Sequence, residues 1–428
     1  MRTHHSAAIR RAVGRVAVVA ITASIGACSD GGGAAPTTAE ETTSSTAARD
    51  DDGTLMIGAV LPTVGVSSEI GVSMTTALDV GINEINEAGG VNGRPVRLVF
   101  REEGDNSATA VLAVQSLLQA GVDAIIGPTS SPDLLATLGE AVDSGVLTCA
   151  PTASALALDG YPDNGLFFRT VPSDSLQAQA MARVVETSGT STAAVVYLDD
   201  SYGRPFAEAT RSAIARVGMT VSAFVGFTSG GTSIDEAAAA VAQARTGVVA
   251  VVADAVTGPA IIAAIDAATN GRMTFVVNDA VRRPDASAPP FDADLSARVV
   301  GASPLAYATS TSFHDSLREV DADATGLFAH NAYDCLAIIA LAALAADSSD
   351  PATMAAVIPA VTASGSRCFT YTECAAALAE SRNINYDGPG ATLAINPSGE
   401  MTSAVFERFT FDENGRDVAT GLLRLGDG

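Results

Sequence analysis

The sequence predicts an α/β protein with two Rossmann-like lobes, each built on a parallel sheet and joined by a three-strand hinge. From Thr54 to Val277, short apolar runs of strand length alternate with segments whose apolar residues recur at helical spacing. This alternation is typical of βαβ units with right-handed crossovers. The chain has 428 residues, which is long enough for two sizeable cores.

The elements follow one another in a regular order. The continuous apolar run LMIGAVLP predicts a buried first strand. Leu78, Ile82 and Ile85 lie at helical spacing, and Gly89-Gly90 ends that helix. Further apolar runs predict strands at residues 95–101, 123–126, 146–149, 193–198, 220–224, 248–253, 274–277, 298–300, 391–395 and 404–411. Helices are predicted at residues 72–88, 107–120, 132–142, 205–217, 234–245 and 258–268, and around His314 and Tyr333.

Three breaks in this alternation indicate crossings between the lobes. They lie at residues 168–174, 301–304 and 398–400, where Pro or Gly interrupts the pattern. We therefore expect lobe 1 to comprise residues 54–171 and 302–400, and lobe 2 to comprise residues 172–301 and 401–428.

The N-terminal segment has the pattern of a targeting signal. Four arginines precede a short apolar core at residues 16–24, which is too short to remain as a membrane span. The core ends in Ile25-Gly26-Ala27-Cys28, which resembles a bacterial lipobox, so we expect residues 1–27 to be removed and Cys28 to be lipidated. An ordinary cleaved signal with an incidental cysteine is the alternative. Residues 28–53 are rich in Gly, Ser, Thr and Ala and predict a flexible tether.

Composition and charge restrict the partners. The formal net charge is −24 and the isoelectric point is about 4.3, which argues against nucleic acid and anionic membrane surfaces as partners. All 24 basic residues are Arg. The absence of Lys excludes Schiff-base chemistry and a P-loop lysine.

Four cysteines remain after Cys28, an even number that suggests disulfides in an exported chain. Cys368 and Cys374 flank the short loop CFTYTEC and are expected to pair. Cys149 and Cys335 would then pair by elimination, and two buried free thiols are the alternative for them. The chain has no CxxC motif, so the sequence predicts neither a metal site nor a cofactor.

The stretch 123–154 reads as strand, helix, strand and a polar turn, with its loops at the carboxyl ends of parallel strands. Ser131 is placed as N-cap and Pro132 as the first helical residue, so that free backbone N–H groups would form a small anion site. Alternatively, Asp133 satisfies this helix end by itself, and the stretch binds nothing.

The ordered set of segments resembles a known family. It comprises IGAVLP, INEAGGVNGRPV, IIGPTSS, CAPTAS, FFRTVPSDSLQ, VVYLDDSYGRPF, FVVNDAV and GATLAINPSGE. Together they resemble the leucine/isoleucine/valine-binding family of exported solute-binding proteins, which have the type I periplasmic-binding fold and serve ABC transporters. The resemblance covers nearly everything from Leu55 to about Phe411.

The resemblance implies a ligand site between the lobes. Ser131, Thr152 and Ser154 would take an α-carboxylate and part of the ammonium group of an amino acid. Tyr202 would close over the ligand and Asp279 would meet the ammonium group. An ordinary packing role for Tyr202 and a turn role for Asp279 are the alternatives. The remaining implied site residues are Ser130, Ile70 and Phe328.

Two departures leave the side-chain pocket open. Ile70 stands at a loop position where leucine-type proteins often carry an aromatic, and Thr129 replaces an apolar residue beside the expected anion site. Asp254 is a candidate second acid, which would favour a basic or polar ligand.

Catalysis has little support in the sequence. There is no GxSxG, HExxH, Walker or GxGxxG motif in the required context. His314 and His330 are the histidines outside the signal, and we expect His330 to donate a structural hydrogen bond. We therefore predict a non-enzymatic, lipid-anchored amino-acid-binding protein that closes about a hinge and docks on ABC permease subunits. The alternatives are a binder of amides, urea or another small polar metabolite, or a ligand sensor.

Overall fold

The computed structural model describes residues 52–65, 67–282 and 291–426. The predicted signal peptide, Cys28 and most of the predicted tether lie outside these residues. The described strands are β1 (Met56–Leu61), β2 (Arg97–Glu102), β3 (Ala124–Ile126), β4 (Leu147–Ala150), β5 (Phe167–Arg169), β6 (Thr192–Leu198), β7 (Thr220–Phe227), β8 (Val248–Val252), β9 (Thr274–Val277), β10 (Val299–Pro304), β11 (Ser366–Cys368), β12 (Ile384–Tyr386), β13 (Ala404–Phe411) and β14 (Asp417–Leu425).

The helices alternate with the strands along most of the chain. They are α1 (Ser68–Glu87), α2 (Ser107–Ala120), α3 (Ser131–Asp143), α4 (Asp174–Glu186), α5 (Gly203–Arg216), α6 (Gly231–Gln243), α7 (Thr257–Thr269), α8 (Ala293–Ser296), α9 (Thr311–Val320), α10 (Ala329–Ala346), α11 (Pro351–Ala363) and α12 (Tyr371–Ala379).

Two large sheets organise these elements. The first sheet has the order β2-β1-β3-β4-β5 and is parallel throughout. The second sheet has the order β14-β13-β10-β9-β8-β6-β7. Its strands β6 to β10 are parallel, whereas β13 pairs antiparallel with both β10 and β14. The predicted α/β class is therefore confirmed, with an antiparallel hairpin added at one sheet edge.

The predicted lobe boundaries stay a prediction; the chain changes sheets near the predicted crossings, although β10 continues to Pro304, past the boundary drawn after residue 301. It leaves the first sheet after β5, builds β6 to β10 of the second, and returns to the second with β13 after the intervening helices.

Burial follows from the apolar pattern of the strands and helices. The central strands β3, β4 and β8 are buried at every position, as expected for parallel strands covered by helices on both faces. α10 is long and apolar enough to cross a membrane by length and composition, but 83% of it is buried inside the protein. We therefore interpret α10 as a core helix, which packs against α1 and α11.

Two disulfides cross-link the described chain, and the first of them joins a helix to the first sheet. Cys149 of β4 is bonded to Cys335 of α10 across a sequence separation of 186 residues. Cys368 and Cys374 are bonded across a separation of 6 residues. The structure thus contains both expected pairs, and the alternative of two free buried thiols is wrong.

Three predicted element assignments were wrong. α1 begins at Ser68, four residues earlier than expected, so Ile70 lies in a helix and not in a loop. Residues 391–395 form no strand, and only Ile395 makes an isolated bridge, with Met401. β5 was expected to be a turn, because its three residues are too few to show a period.

Candidate functional site

The carboxyl ends of β3 and β4 place two polar loops side by side. Gly127, which follows β3, has a φ of +92°, and a Cβ there would lie 2.2 Å from the carbonyl oxygen of Val60. Only glycine fits this position without strain. Its N–H donates to the carbonyl oxygen of Cys149 at 2.9 Å, so the first loop is attached to the neighbouring strand where it begins.

The predicted hydroxyl residues join these two loops. Thr152 Oγ1 donates to the Thr129 carbonyl oxygen at 2.9 Å, and the Ala155 N–H donates to Ser131 Oγ at 3.2 Å. The backbone N–H groups of Ser131, Thr152 and Ser154 donate to no acceptor in the described part of the chain. Both loops therefore offer donors that a ligand carboxylate could use.

The start of α3 differs from the prediction by one residue. Ser130 is the N-cap, and its hydroxyl accepts from the Asp133 N–H at 3.2 Å. Ser131 is already the first helical residue, which frees its hydroxyl for the neighbouring loop. Asp133 does not satisfy the helix end by itself, because its carboxylate accepts from the Ser107 hydroxyl.

Glu103, one residue after β2, occupies part of the expected anion site. Its carboxylate accepts from the Thr129 N–H at 2.9 Å, from Thr129 Oγ1 at 2.8 Å and from the Ser130 N–H at 3.2 Å. Burial raises the pKa of Glu103 to about 7, although the hydrogen bonds from Thr129 and Ser130 lower it. The protein thus supplies its own anion at the two backbone donors that precede α3.

The second sheet contributes an acid and a tyrosine. Asp279 lies in a short 3₁₀ turn directly after β9, where Gln177 Nε2 donates to its Oδ1 at 2.7 Å. Burial raises the pKa of Asp279, while Gln177 and Arg282 lower it. Tyr202 immediately precedes α5. Burial raises the pKa of Tyr202, and so do the charges of three aspartates, Asp174, Asp279 and Asp200.

Asp174, one of these three aspartates, was not indicated by the sequence as a site residue. It is the first residue of α4, is 1% exposed, and its N–H donates to the Ser154 carbonyl oxygen at 2.9 Å. Burial raises the pKa of Asp174 well above its usual range, and the charge of Asp279 raises it further. The Ser154 hydroxyl and Arg169 lower this pKa, but neither carboxylate oxygen has a donor in hydrogen-bond geometry among the described residues.

The structure therefore brings four polar residues together: Ser154, Asp174, Tyr202 and Asp279. Ser154 follows the first sheet, whereas Tyr202 and Asp279 follow strands of the second. Two buried carboxylates beside one another are costly unless a cation or a proton compensates them. The arrangement is suited to a ligand that carries a positive charge.

Three other predicted residues make no polar contact with this group of four in the described part of the chain. Phe328 and Ile70 are half-buried against the large core that spans both sheets, and no polar contact joins them to the acids. Asp254, the candidate second acid, is not aimed at a ligand. It accepts from Thr257 N and Oγ1 and from the Val256 N–H, and thus caps the start of α7.

The two acids that the sequence reasoning missed had ambiguous signals. Asp174 lies in the motif FFRTVPSDSLQ, but an acidic residue in the first turn of a helix is usually explained by the helix dipole. The next turn of that helix carries Gln177, which donates to Asp279. The three-residue spacing of Asp174 and Gln177, which places both on one face of the helix, was the available indication. Glu103 follows a strand at the carboxyl edge of the first sheet, where polar side chains gather.

Histidine and metal chemistry are not supported by the geometry. His330 is buried, and burial lowers its pKa to about 3, so it is neutral. Its Nδ1 has no hydrogen-bond partner within the described ranges, so the expected structural hydrogen bond is wrong for that atom. No group of three or more His, Cys, Asp or Glu residues that could hold a metal occurs among the residues the structure describes.

Comparison with known proteins adds a family and several relatives. A family model described as periplasmic binding protein matches residues 54–405. The substrate-binding protein BasB of a chemotactic signal transduction system from Halobacterium salinarum is 27% identical over 374 residues, which cover 83% of this chain and 86% of BasB.

Two more similarities concern amino acids. A leucine-, isoleucine-, valine-, threonine- and alanine-binding protein from Pseudomonas aeruginosa is 27% identical over 180 residues, covering 41% of this chain and 48% of that protein. The chain thus spans about half the length of this relative. An ABC transporter substrate-binding protein from Desulfitobacterium hafniense, solved in complex with Leu, has a TM-score of 0.65 and 17% identity over 86% of this chain and 99% of that one.

Proposed function

Because the chain belongs to the periplasmic binding protein family, we propose that it is an exported solute-binding protein that captures an amino acid, branched-chain or related. The family works outside the cytoplasm on small molecules, so the open questions are which ligand is bound and what receives it. The observation that carries our answer is the pair Asp174 and Asp279.

The acid pair favours a ligand with an ammonium group. Neither oxygen of Asp174 has a donor in hydrogen-bond geometry among the described residues, and burial and the charge of Asp279 raise its pKa more than the Ser154 hydroxyl and Arg169 lower it. An ammonium group between the two carboxylates would convert a repulsive pair into charge-assisted hydrogen bonds. Leu, Ile or Val supplies such a group together with a carboxylate for the N–H donors of Ser131, Thr152 and Ser154.

The apolar part of the ligand would lie against Ile70 and Phe328, while Tyr202 would cover the polar end. Hinge closure follows if the ligand contacts both sides more fully in the closed state, since a ligand shifts an equilibrium only by its differential affinity. The Pseudomonas relative, named for five amino acids of this class, supports the assignment.

Transport is the proposed role. The closed protein would dock on ABC permease subunits and be held at the outer face of the membrane by lipidated Cys28, with residues 28–53 as tether. Mass spectrometry of the exported protein tests the anchor, because a lipidated Cys28 is the expected N-terminus. An unmodified N-terminus at another residue would refute it.

Three matched ligands test the binding assignment. The chain from residue 50 onward is titrated with L-leucine, with L-leucinamide, which lacks the carboxylate, and with 4-methylpentanoate, which lacks the ammonium group. We expect leucine to bind most tightly and 4-methylpentanoate to bind at least tenfold more weakly. Equal binding of leucine and 4-methylpentanoate would refute the role of the acid pair. Binding of amides or urea alone would favour the alternative ligands.

A sensor role is the second candidate, because BasB, which is named for chemotactic signalling, matches 83% of the chain. Affinity capture with the ligand-loaded protein separates the roles. Recovery of permease subunits supports transport, whereas recovery of a transmembrane receptor supports sensing.

A further inference from the structure

A cavity of about 680 Å³ lies away from the proposed amino-acid site. Helices α1 and α9 form one side of it, and the segment 387–392 forms another. The edge hairpin of the second sheet closes it with Val405, Leu422 and Arg424. None of the eight predicted ligand-binding residues lines this space, and its volume falls within the range of about 300–1,000 Å³ usual for small-molecule pockets.

The apolar part of the lining is well formed. Phe313 of α9 is fixed by an edge-to-face contact with Tyr333, with ring centroids 5.2 Å apart. Leu305 and Val405 are buried beside it. Leu422 is 54% exposed and adds apolar surface at the rim of the cavity.

The polar part carries charges whose hydrogen-bonding capacity is unfilled. The Arg424 side chain is exposed and makes no hydrogen bond or ion pair with any described residue, although the chain carries 48 acidic residues and only 24 arginines. Asp387 is 1% exposed and forms an ion pair with Arg367, yet its Oδ1 has no donor in the described part of the chain.

The sign of the missing charge follows from these groups. Glu84 is satisfied, because its two oxygens accept from the Tyr333 hydroxyl and the Thr372 N–H. Asp387 and Arg367 compensate each other. Arg424 is the cation on the wall that forms no ion pair with a described residue, and a carboxylate is the partner that a guanidinium binds in bidentate geometry.

We propose that this cavity is a second ligand site, which takes a small amphipathic carboxylate. The carboxylate binds Arg424, and the apolar body lies against Phe313, Leu305 and Leu422. Anion binding here opposes the field of a protein with a net charge of −24, so it requires the local guanidinium. This distinguishes specific binding from adsorption of an amphiphile, since overall charge would favour a cation.

Calorimetric titration of the full chain with octanoate and with octylammonium tests the proposal. We expect octanoate to bind at least tenfold more tightly than octylammonium. Arg424→Gln should weaken octanoate at least tenfold, because one charge-assisted contact is lost. The matched control Arg216→Gln, an exposed arginine at the end of α5, should leave octanoate affinity unchanged.

A second variant locates the apolar body. Ser312 is exposed on α9 and lines the cavity, so Ser312→Trp fills the space without removing a buried contact. It should abolish octanoate binding while the thermal unfolding midpoint stays within a few degrees of the wild type. Unchanged octanoate affinity in both variants, a preference for octylammonium, or no octanoate binding by the wild type would each overturn the proposal.

Discussion

Substituting Asp174 by Asn should change ligand affinity and stability in opposite directions. This carboxylate is buried, lacks a donor in hydrogen-bond geometry among the described residues, and lies near the charge of Asp279. Removing its charge should therefore raise the free energy of unfolding at pH 7 by about 1–3 kcal/mol, the usual cost of an unsatisfied buried group. The ligand's ammonium group loses a buried ionic partner, which costs about 2–5 kcal/mol of binding free energy, or about 30- to 4,000-fold in affinity.

The pH dependence gives a stricter test of the same substitution. The pKa of Asp174 is raised in the folded protein, so the native state binds more protons than the unfolded state above the ordinary value of 3.8. Stability from this group is then lost as the pH rises above 3.8 towards the folded pKa. The advantage of Asp174→Asn in unfolding free energy should be small at pH 4 and should grow towards pH 7.

Urea unfolding at pH 4, 5.5 and 7, together with leucine titration at pH 7, measures both effects. Asp315→Asn is the matched control, because Asp315 has a side chain that is 75% exposed and lies on α9, away from both acids. It should change neither quantity by more than about 0.5 kcal/mol. A destabilised Asp174→Asn protein with unchanged leucine affinity would refute the reasoning and make Asp174 a structural residue.

Three further predictions concern other parts of the fold. Replacing Cys149 and Cys335 by Ser should lower the free energy of unfolding by about 5 kcal/mol in urea titrations, whereas replacing Cys368 and Cys374 should lower it by about 2 kcal/mol. The difference arises because the two disulfides close loops of 186 and 6 residues. Equal losses would contradict the loop-length argument. Glu103 has a pKa of about 7 against an ordinary 4.5, so the wild type should lose about 3 kcal/mol of unfolding free energy from this group between pH 4.5 and 7. Glu103→Gln should flatten that part of the curve of unfolding free energy against pH. Asp279→Ala should weaken an amino acid far more than an amide or urea in calorimetric titrations, and equal losses for all ligands would exclude the ammonium contact.

The sequence predicted those features that local pattern determines. The period of apolar residues located α2 and β9 without error, and most other elements to within a few residues. The prediction missed short or exposed elements. β5 has three residues and shows no period. β14 is exposed at most positions, so its sequence lacks the alternation of apolar and polar residues that predicts a strand.

The polar site was harder to predict because its chemistry depends on contacts between distant segments. The start of α3 was expected to present free N–H donors to a ligand, but Glu103 accepts from the two donors before the helix, which are 26 and 27 residues away along the chain. Asp174 and Asp279 are 105 positions apart in sequence, and nothing local indicates that their charges are adjacent. Helix-dipole reasoning explains an acid at the start of α4 as stabilising, whereas burial and a neighbouring charge make the same acid destabilising until a cation binds.

In the proposed function, that reversal would couple ligand recognition to hinge closure. Asp174 is attached to the first-sheet loop through the Ser154 carbonyl, while Asp279 is held by Gln177 after a strand of the second sheet. A ligand cation placed between them lowers the cost of bringing two carboxylates together, and it does so more in a closed arrangement than in an open one. A ligand without a cation could occupy the same space but would leave that repulsion uncompensated. In the proposed function the acid pair would select by charge during closure, and the side-chain pocket would need to discriminate only among molecules that already carry an ammonium group.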